Sequence, residues 1–371
     1  MKNEAKNKAG GFLGGIIVLI IGIAILWNNE GRSVKTQNAI NEAKKSYQDV
    51  VSTAVDSQNE GKVIATNGEM NIGDTVLSDT KFGIHVNAAK LEKHVDMYQW
   101  VESCETDDND NKNCTYTKEW KDTLENSNEF YESGHTNPTM FKNANEEFLA
   151  KNIKVGAFVL PEALLKRLSC DKEIGYDELT KQYQNQVEGY VVNNNYITNS
   201  VDVNNPQIGD ERVSYKYLEP GLVSMLGVQS GNSLVAFTGK QGKDVFVVRK
   251  GVYTGRQMLE QETKSNKTMK WILRVLGIIL VYAGIGSLFS PLTNLTDKVP
   301  VLGKLVGFST GLITFVLGTV ISILVIAIAW FRFRPILSII LIAIAVALII
   351  FLNIRGKNKK QESNTVKEPT E

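Results

Sequence analysis

Cys104 and Cys114 are the residues whose type and spacing come nearest to chemistry. They bracket ETDDNDNKN, an acidic, turn-rich stretch between two runs of strand-forming residues. In an oxidising compartment they are a candidate disulfide, and closing so short a loop contributes about 2–3 kcal/mol. In a reducing compartment they are two free thiols. Cys170 stands apart as a third. The spacing is not that of a redox CxxC, and no second Cys pair completes a zinc site. Counting from Asp108 through Asp110 to Glu119 gives part of a calcium loop. Lys112 and Asn113, however, occupy the positions of a ligand and of the turn glycine, so a solvated hairpin tip is expected. His85, His94 and His135 have no metal-ligand spacing, and GxSxG, Walker A and GxGxxG are absent. The sequence therefore points to no catalytic, metal or cofactor site, and its scattered carboxylates read as solvated surface. A net charge of +1 gives no basic excess that would suggest nucleic acid as a partner.

The elements around these residues are dominated by the membrane. Residues 275–296, 305–331 and 335–354 carry no formal charge. Each approaches or exceeds the roughly 20 apolar residues that a helix needs to cross a hydrocarbon core of about 30 Å. Lipid offers the backbone no hydrogen bonds, so such segments must be helical. A further uncharged run, 9–29, follows Lys2, Lys6 and Lys8 and ends near Trp27. A signal peptide is the rival reading, but the run is long and no small-x-small site precedes NNEGR. The expected fold is a polytopic α-helical membrane protein with four transmembrane helices, one plus three. A large α+β extracytoplasmic domain separates the first helix from the second. The boundaries read as a cytoplasmic N-terminus at 1–8, helices at 9–29, 271–296, 305–331 and 335–354, the domain at 30–269, and a basic cytoplasmic tail at 355–371. Both termini then lie on one side, in agreement with the N-terminal lysines and with Arg355, Lys357, Lys359 and Lys360. Lys264, Lys267, Lys270, Arg332 and Arg334 would face the other side, where they could meet lipid headgroups.

Within the domain, residues 33–55 have helical periodicity and 161–168 form a short helix started by Pro161. Strands are expected at 62–66, 97–103, 115–120, 186–196, 212–218, 233–238 and 244–250. Residues 255–270 read as a polar helix that continues into the second span, with Arg274 one turn inside it and able to snorkel. PLTNLTDKVPVLGK reads as a connector between the second and third spans, and FRFRP as a tight turn into the fourth. Gly11 and Gly15 have GxxxG spacing, and Gly303, Gly307, Gly311 and Gly318 form a stripe that predicts a close helix–helix seam. Asn113, Asn266 and Asn294 head glycosylation sequons that chance explains in so Asn-rich a chain.

Five segments in order, NNEGRSVKT, VDMYQWVE, IGDERVSY, WILRVLGIILVYAG and AWFRFRP, resemble the transmembrane protein 43 (LUMA) family over nearly the whole chain. The Cys-bracketed insert departs from that pattern. The resemblance implies four spans, cytoplasmic ends and a luminal or, in a bacterium, external domain. It also implies residence in the endoplasmic reticulum and inner nuclear membrane in animals, and a role in self-association and in organising partner assemblies. The positions carried over are Asn29, Glu30, Gly31, Arg32, Gln99, Trp100, Glu102, Gly209, Asp210, Arg212, Trp271, Arg274, Trp330, Arg334 and Pro335. Glu30 and Arg32 would pair at the interface, and Arg334 could grip a phospholipid phosphate.

Three functions compete on these features. The first is a non-enzymatic membrane organiser, homo-oligomeric and in contact with membrane lipids and unidentified protein partners. The second is an envelope enzyme or a lipid- or solute-binding protein, and the third is an accessory subunit of a channel or transporter.

Overall fold

The computed structural model describes residues 2–106, 112–296, 300–336 and 338–340. For 2–12, 289–296 and 300–310 it describes the backbone alone. The chain divides into two compact units, a membrane unit of residues 1–38 with 263–371 and a second unit of residues 39–262. The division falls inside two long helices, α1 (Lys2–Ser46) and α4 (Gly255–Thr296).

The second unit is β-rich, and its helical content lies mostly in the ends of α1 and α4. Only α2 (Glu162–Leu165) and α3 (Tyr176–Gln182) add short α-helices among its described residues. One sheet is built on β1 (Val63–Asn71) and β6 (Leu222–Ser230), antiparallel from Leu222 opposite Glu69 to Val228 opposite Val63. Beyond β6 lies β7 (Val247–Lys250), and the short strands at Lys154–Val155, Phe158–Val159 and Ser233–Val235 run from β1 back to β6, so part of the sheet closes on itself. A second sheet is organised by β2 (Lys90–Thr106). Its first half pairs with β5 (Glu211–Leu218) and with β4 (Glu146–Leu149), and its second half with β3 (Lys112–Lys121). The main core gathers Phe82, Ile84, Leu91, Ile153, Leu164 and Tyr215. A smaller one seats Ala39, Ile40 and Ala43 of α1 and Met258 and Leu259 of α4 against Val63, Leu226 and Val247. The periodic face expected over 33–55 is thus a packed one, but the helix stops at Ser46 and Gln48–Asp49 joins β1 as a parallel edge strand.

Among the described residues, three helices are long and apolar enough to cross a membrane, at Leu13–Ser46, Gly255–Leu288 and Gly311–Phe333. The last lies in α5 (Pro300–Phe333). Leu13, Ile17, Ile279, Phe315, Ile323 and Phe331 are exposed, an outward face that suits lipid as solvent. The connector expected at 291–304 is largely absorbed into helix, since α4 runs to Thr296 and α5 starts at Pro300. Prolines are tolerated in membrane helices more readily than in water-soluble ones. Of the expected fourth span, 335, 336 and 338–340 are helical, and 341–354 lie outside the described residues, as does the tail. Arg334 closes α5 with a hydrogen bond from its N to the Trp330 carbonyl. Its own carbonyl accepts from Ser338 N, which opens the next helical turn. Pro335 sits in that first turn, where a missing N–H costs nothing.

Candidate functional site

Helices α1 and α4 run antiparallel within the membrane unit and touch through glycine. A Cβ on Gly22 would lie 2.9 Å from Val281 N and 3.0 Å from the Gly277 carbonyl, and one on Gly284 would lie 2.6 Å from Leu19 N. Gly15 meets Ser287 and the Gly284 carbonyl in the same way. Gly15 and Gly22 on one helix, and Gly277 and Gly284 on the other, are each a heptad apart. This is a close-approach seam of the kind that small residues allow in lipid.

The stripe expected on α5 behaves differently. A Cβ on Gly318 would run into the Tyr282 ring, so that glycine packs within the chain. Gly311 is exposed and, among the described residues, a Cβ there would meet nothing within 4 Å, although Phe315, one turn on along the same face, stacks on the Tyr282 ring of α4. The surroundings of Gly11, Gly303 and Gly307 lie outside the described residues. The seam is therefore on α1 and α4, and Gly311 takes no part in it.

At the end of that seam, three helices contribute to one buried cluster. Glu30 of α1 is fully buried, and its Oε1 lies 2.5 Å from Nε of Arg274 on α4, whose side chain is 8% exposed. Trp330 of α5 donates its indole N–H to the other Glu30 oxygen at 2.9 Å. The Arg274 guanidinium also lies over the Trp271 and Trp330 rings, at 4.9 and 5.6 Å from their centroids. A charge next to hydrocarbon is costly unless paired, and here one carboxylate satisfies donors from both other helices. Arg274 is thus held inside the bundle rather than snorkelling outward.

The expected Glu30–Arg32 pair does not form. Residues two apart on a helix point to different sides, so Arg32 cannot share the Glu30 carboxylate. Arg32 donates instead to Asn29 Oδ1 at 3.2 Å and to Asn266 Oδ1 at 3.3 Å. Asn29 donates to the Lys270 carbonyl at 2.8 Å, and Asn266 to the Ser33 carbonyl at 2.9 Å. Asn266 is 6% exposed and committed to this network, which removes it as a glycosylation acceptor. Gly31 leaves room for the Phe333 ring, and Trp27 meets that ring edge-on at 5.8 Å. Nine of the fifteen carried-over positions, from Asn29–Arg32 through Trp271 and Arg274 to Trp330, Arg334 and Pro335, therefore belong to the membrane unit. Asn266, Ser33 and Phe333 are partners that sequence reasoning missed. Only the packing of α4 and α5 against α1 marks them.

The other six positions lie in the β-rich unit and pin loops to the β2–β3 hairpin. Gln99, fully buried, donates to the Thr123 carbonyl and accepts from Glu125 N, both at 2.9 Å. Trp100 exchanges two hydrogen bonds with the Asn137 side chain, and Glu102 accepts from Tyr131 N and from the Tyr116 hydroxyl. Gly209, at φ +90°, turns the chain so that Gly209 N reaches the Tyr98 carbonyl and Tyr98 N the Asp210 carbonyl. Asp210 accepts from Gln207 N. Arg212 binds Asp96 at 2.7 Å and stacks over Trp120.

A disulfide joins Cys104 to Cys114, which face each other across β2 and β3. Glu102 lies within 4.8 Å of both sulfurs, but bonded sulfurs supply no thiolate to a metal. Cys170 is free and half-buried, and burial pushes its thiol up to about 12. Burial, together with the neighbouring Glu211 carboxylate, also raises the Tyr190 hydroxyl.

Comparison with known proteins finds relatives along most of the chain. The family model described as Transmembrane protein 43 matches residues 97–335. The chain is 28% identical over 375 residues to Transmembrane protein 43 of Homo sapiens, covering 95% of this chain and 92% of that protein. It is 27% identical over 373 residues to the Mus musculus protein, with the same coverage. With the Transmembrane protein 43 homolog of Drosophila melanogaster it shares 28% identity over 344 residues, covering 87% of this chain and 89% of that protein. No solved structure matches the chain.

Proposed function

Because this chain belongs to the transmembrane protein 43 family, we propose that it is a non-enzymatic membrane organiser. In this reading it self-associates through its membrane helices and offers its β-rich domain to protein partners. It is an integral membrane protein, with three described helices able to span and a large β-rich unit between the first and second. The observation that carries the proposal is the state of Gly311. Gly15, Gly22, Gly277 and Gly284 of α1 and α4 are consumed within the chain, whereas Gly311 has no described residue against it and sits beside exposed Leu312 and Phe315. In lipid, helices associate through packing and not through a hydrophobic drive, so an unoccupied small-residue position is suited to a helix of a second copy. The proposed topology adds a fourth span at 335–354 and places the β-rich unit on the oxidising side. The Cys104–Cys114 bond supports that side, which is a lumen in an animal cell or the exterior in a bacterium.

The test is the oligomeric mass of the detergent-solubilised protein. Gly307→Leu with Gly311→Leu should reduce the assembly to a smaller species that keeps its thermal unfolding profile. An unchanged mass rules out this face as the contact.

A further inference from the structure

We propose that the membrane unit holds one anionic phospholipid. Its phosphate would be gripped by Lys267, Lys270 and Arg334, and an acyl chain would lie along Phe333, Ile336 and Ile340. These six residues line a cavity of about 720 Å³ together with polar side chains and backbone of α1 and α4. The inference goes beyond the organiser role and does not depend on it.

Three observations carry it. First, the charges are of one sign: the cavity has three cations and no carboxylate in its lining, and none of the three has an ion-pair partner among the described residues. Glu30, the nearest acid in the sequence of α1, already has both oxygens occupied by Arg274 and Trp330. Cations collected without a counter-charge repel one another, and a bound phosphate relieves that repulsion while accepting several charge-assisted hydrogen bonds.

Second, the chemistry of the wall is graded. The cationic residues lie beside the polar groups of Ser33 and Asn266, while Phe333, Pro335, Ile336 and Ile340 form an apolar side. Pro335, Ile336 and Ile340 are exposed, with Ile336 at 75%, although they adjoin a segment built for lipid. A small soluble anion would leave that apolar side bare, whereas a phospholipid covers it.

Third, the depth is right. Trp27, Trp271 and Trp330 come from the three spanning helices; Trp271 and Trp330 lie against the Glu30–Arg274 pair and Trp27 meets Phe333, and indoles favour the level of the headgroups. The cavity residues follow Glu30 on α1 and precede Trp271 on α4, which places them just beyond the aromatic level, where phosphates lie.

The experiment uses the full chain purified in a neutral detergent. Retained lipid is counted by native mass spectrometry, and the unfolding temperature is recorded, on adding phosphatidylglycerol, phosphatidylcholine of the same chains, or inorganic phosphate. Phosphatidylglycerol should be retained one to one and raise the unfolding temperature, while phosphatidylcholine should do neither. Lys267→Gln, Lys270→Gln and Arg334→Gln should each weaken retention about fivefold, the effect of one cation near an anionic headgroup. Should any of these variants fail to fold, Ile336→Glu, on the exposed apolar wall, should lower retention with all three cations in place. Equal retention of the two lipids, or unchanged retention in every variant, overturns the proposal. A shift reproduced by millimolar inorganic phosphate also overturns it, in favour of a free-anion site.

Discussion

Replacing Glu30 with Met tests whether the cluster at the end of the glycine seam is a true buried ion pair. The substitution keeps the length of the side chain and removes both carboxylate oxygens. Arg274, 8% exposed, would lose its counter-charge and Trp330 its acceptor. Removing one partner of a buried pair costs about 3–5 kcal/mol, because the surviving charge remains desolvated. Arg274→Met should cost a similar amount, since it leaves a fully buried carboxylate with a single indole donor. The double variant restores neutrality with two apolar side chains of comparable size, and such replacements are often neutral or stabilising. The cycle should therefore be strongly non-additive: each single variant loses several kcal/mol, and the pair together loses about 1 kcal/mol or less. Trp330→Phe separates the smaller component, removing the N–H donor together with part of the ring, at a cost of about 1–3 kcal/mol. The assay is reversible unfolding in mixed micelles followed by tryptophan fluorescence. Additive single effects below about 1 kcal/mol would mean that the pair is solvated, and the argument for a buried clamp would fail.

Further outcomes follow from the same geometry. Exchanging the charges, Glu30→Arg with Arg274→Glu, should recover part of the loss of either single variant in the same unfolding assay. It should not recover all of it, because Trp330 N–H would then face a guanidinium. Gly22→Ala should destabilise the α1–α4 contact by about 1–3 kcal/mol, because the atoms that its Cβ would meet are backbone and cannot rotate away. Gly311→Ala, by contrast, should leave monomer unfolding unchanged. Cys170 should alkylate slowly: with its thiol pushed up to about 12, a fraction on the order of 10⁻⁴ is thiolate at pH 8. The folded state binds that proton more tightly than the unfolded chain. Its contribution to stability is therefore complete below an ordinary thiol value near 9 and is lost as pH rises from there towards about 12. A Cys170→Ala variant should flatten that part of the pH–stability curve.

How much of this could be read in advance depends on the range of the interactions involved. The membrane spans were legible because lipid imposes a local rule: a long uncharged run has to be helical, and α1, α4 and α5 follow it. The hairpin of β2 and β3 was legible from alternation, and β2 proved longer than expected because its first half is paired by β5 rather than by β3. Strand β6 was missed. LVSMLGVQS has no alternation, since Val223 to Leu226 are all buried between neighbours. Its Gly227 makes room for the Phe246 ring. The membrane cluster was half legible. The resemblance supplied Glu30, Arg274 and Trp330 as separate positions, but only the antiparallel register of α1 and α4 brings residue 30 level with residue 274. The glycine stripe was legible only as a face of α5, because spacing does not report what lies against it: Gly318 packs on Tyr282, and Gly311 meets no described residue within 4 Å.

The seam and the cluster divide one task between them. Glycines let α1 and α4 approach, but a smooth seam tolerates sliding, because Gly15 and Gly22, and Gly277 and Gly284, are a heptad apart and a shift of one heptad again sets a glycine against a glycine. In water, burial of an amphipathic face would oppose such a slip; in lipid that drive is absent. Glu30 supplies the missing specificity. A slide of one heptad, about 10 Å along the axis, would part it from Arg274 and leave two charges unpaired at the edge of the hydrocarbon. Because its second oxygen holds Trp330, the same residue also fixes α5. The network of Asn29, Arg32 and Asn266 then repeats the α1–α4 register one turn further on with neutral groups and one guanidinium. Close packing thus sets the distance between the helices, and the polar pairs choose one position along it.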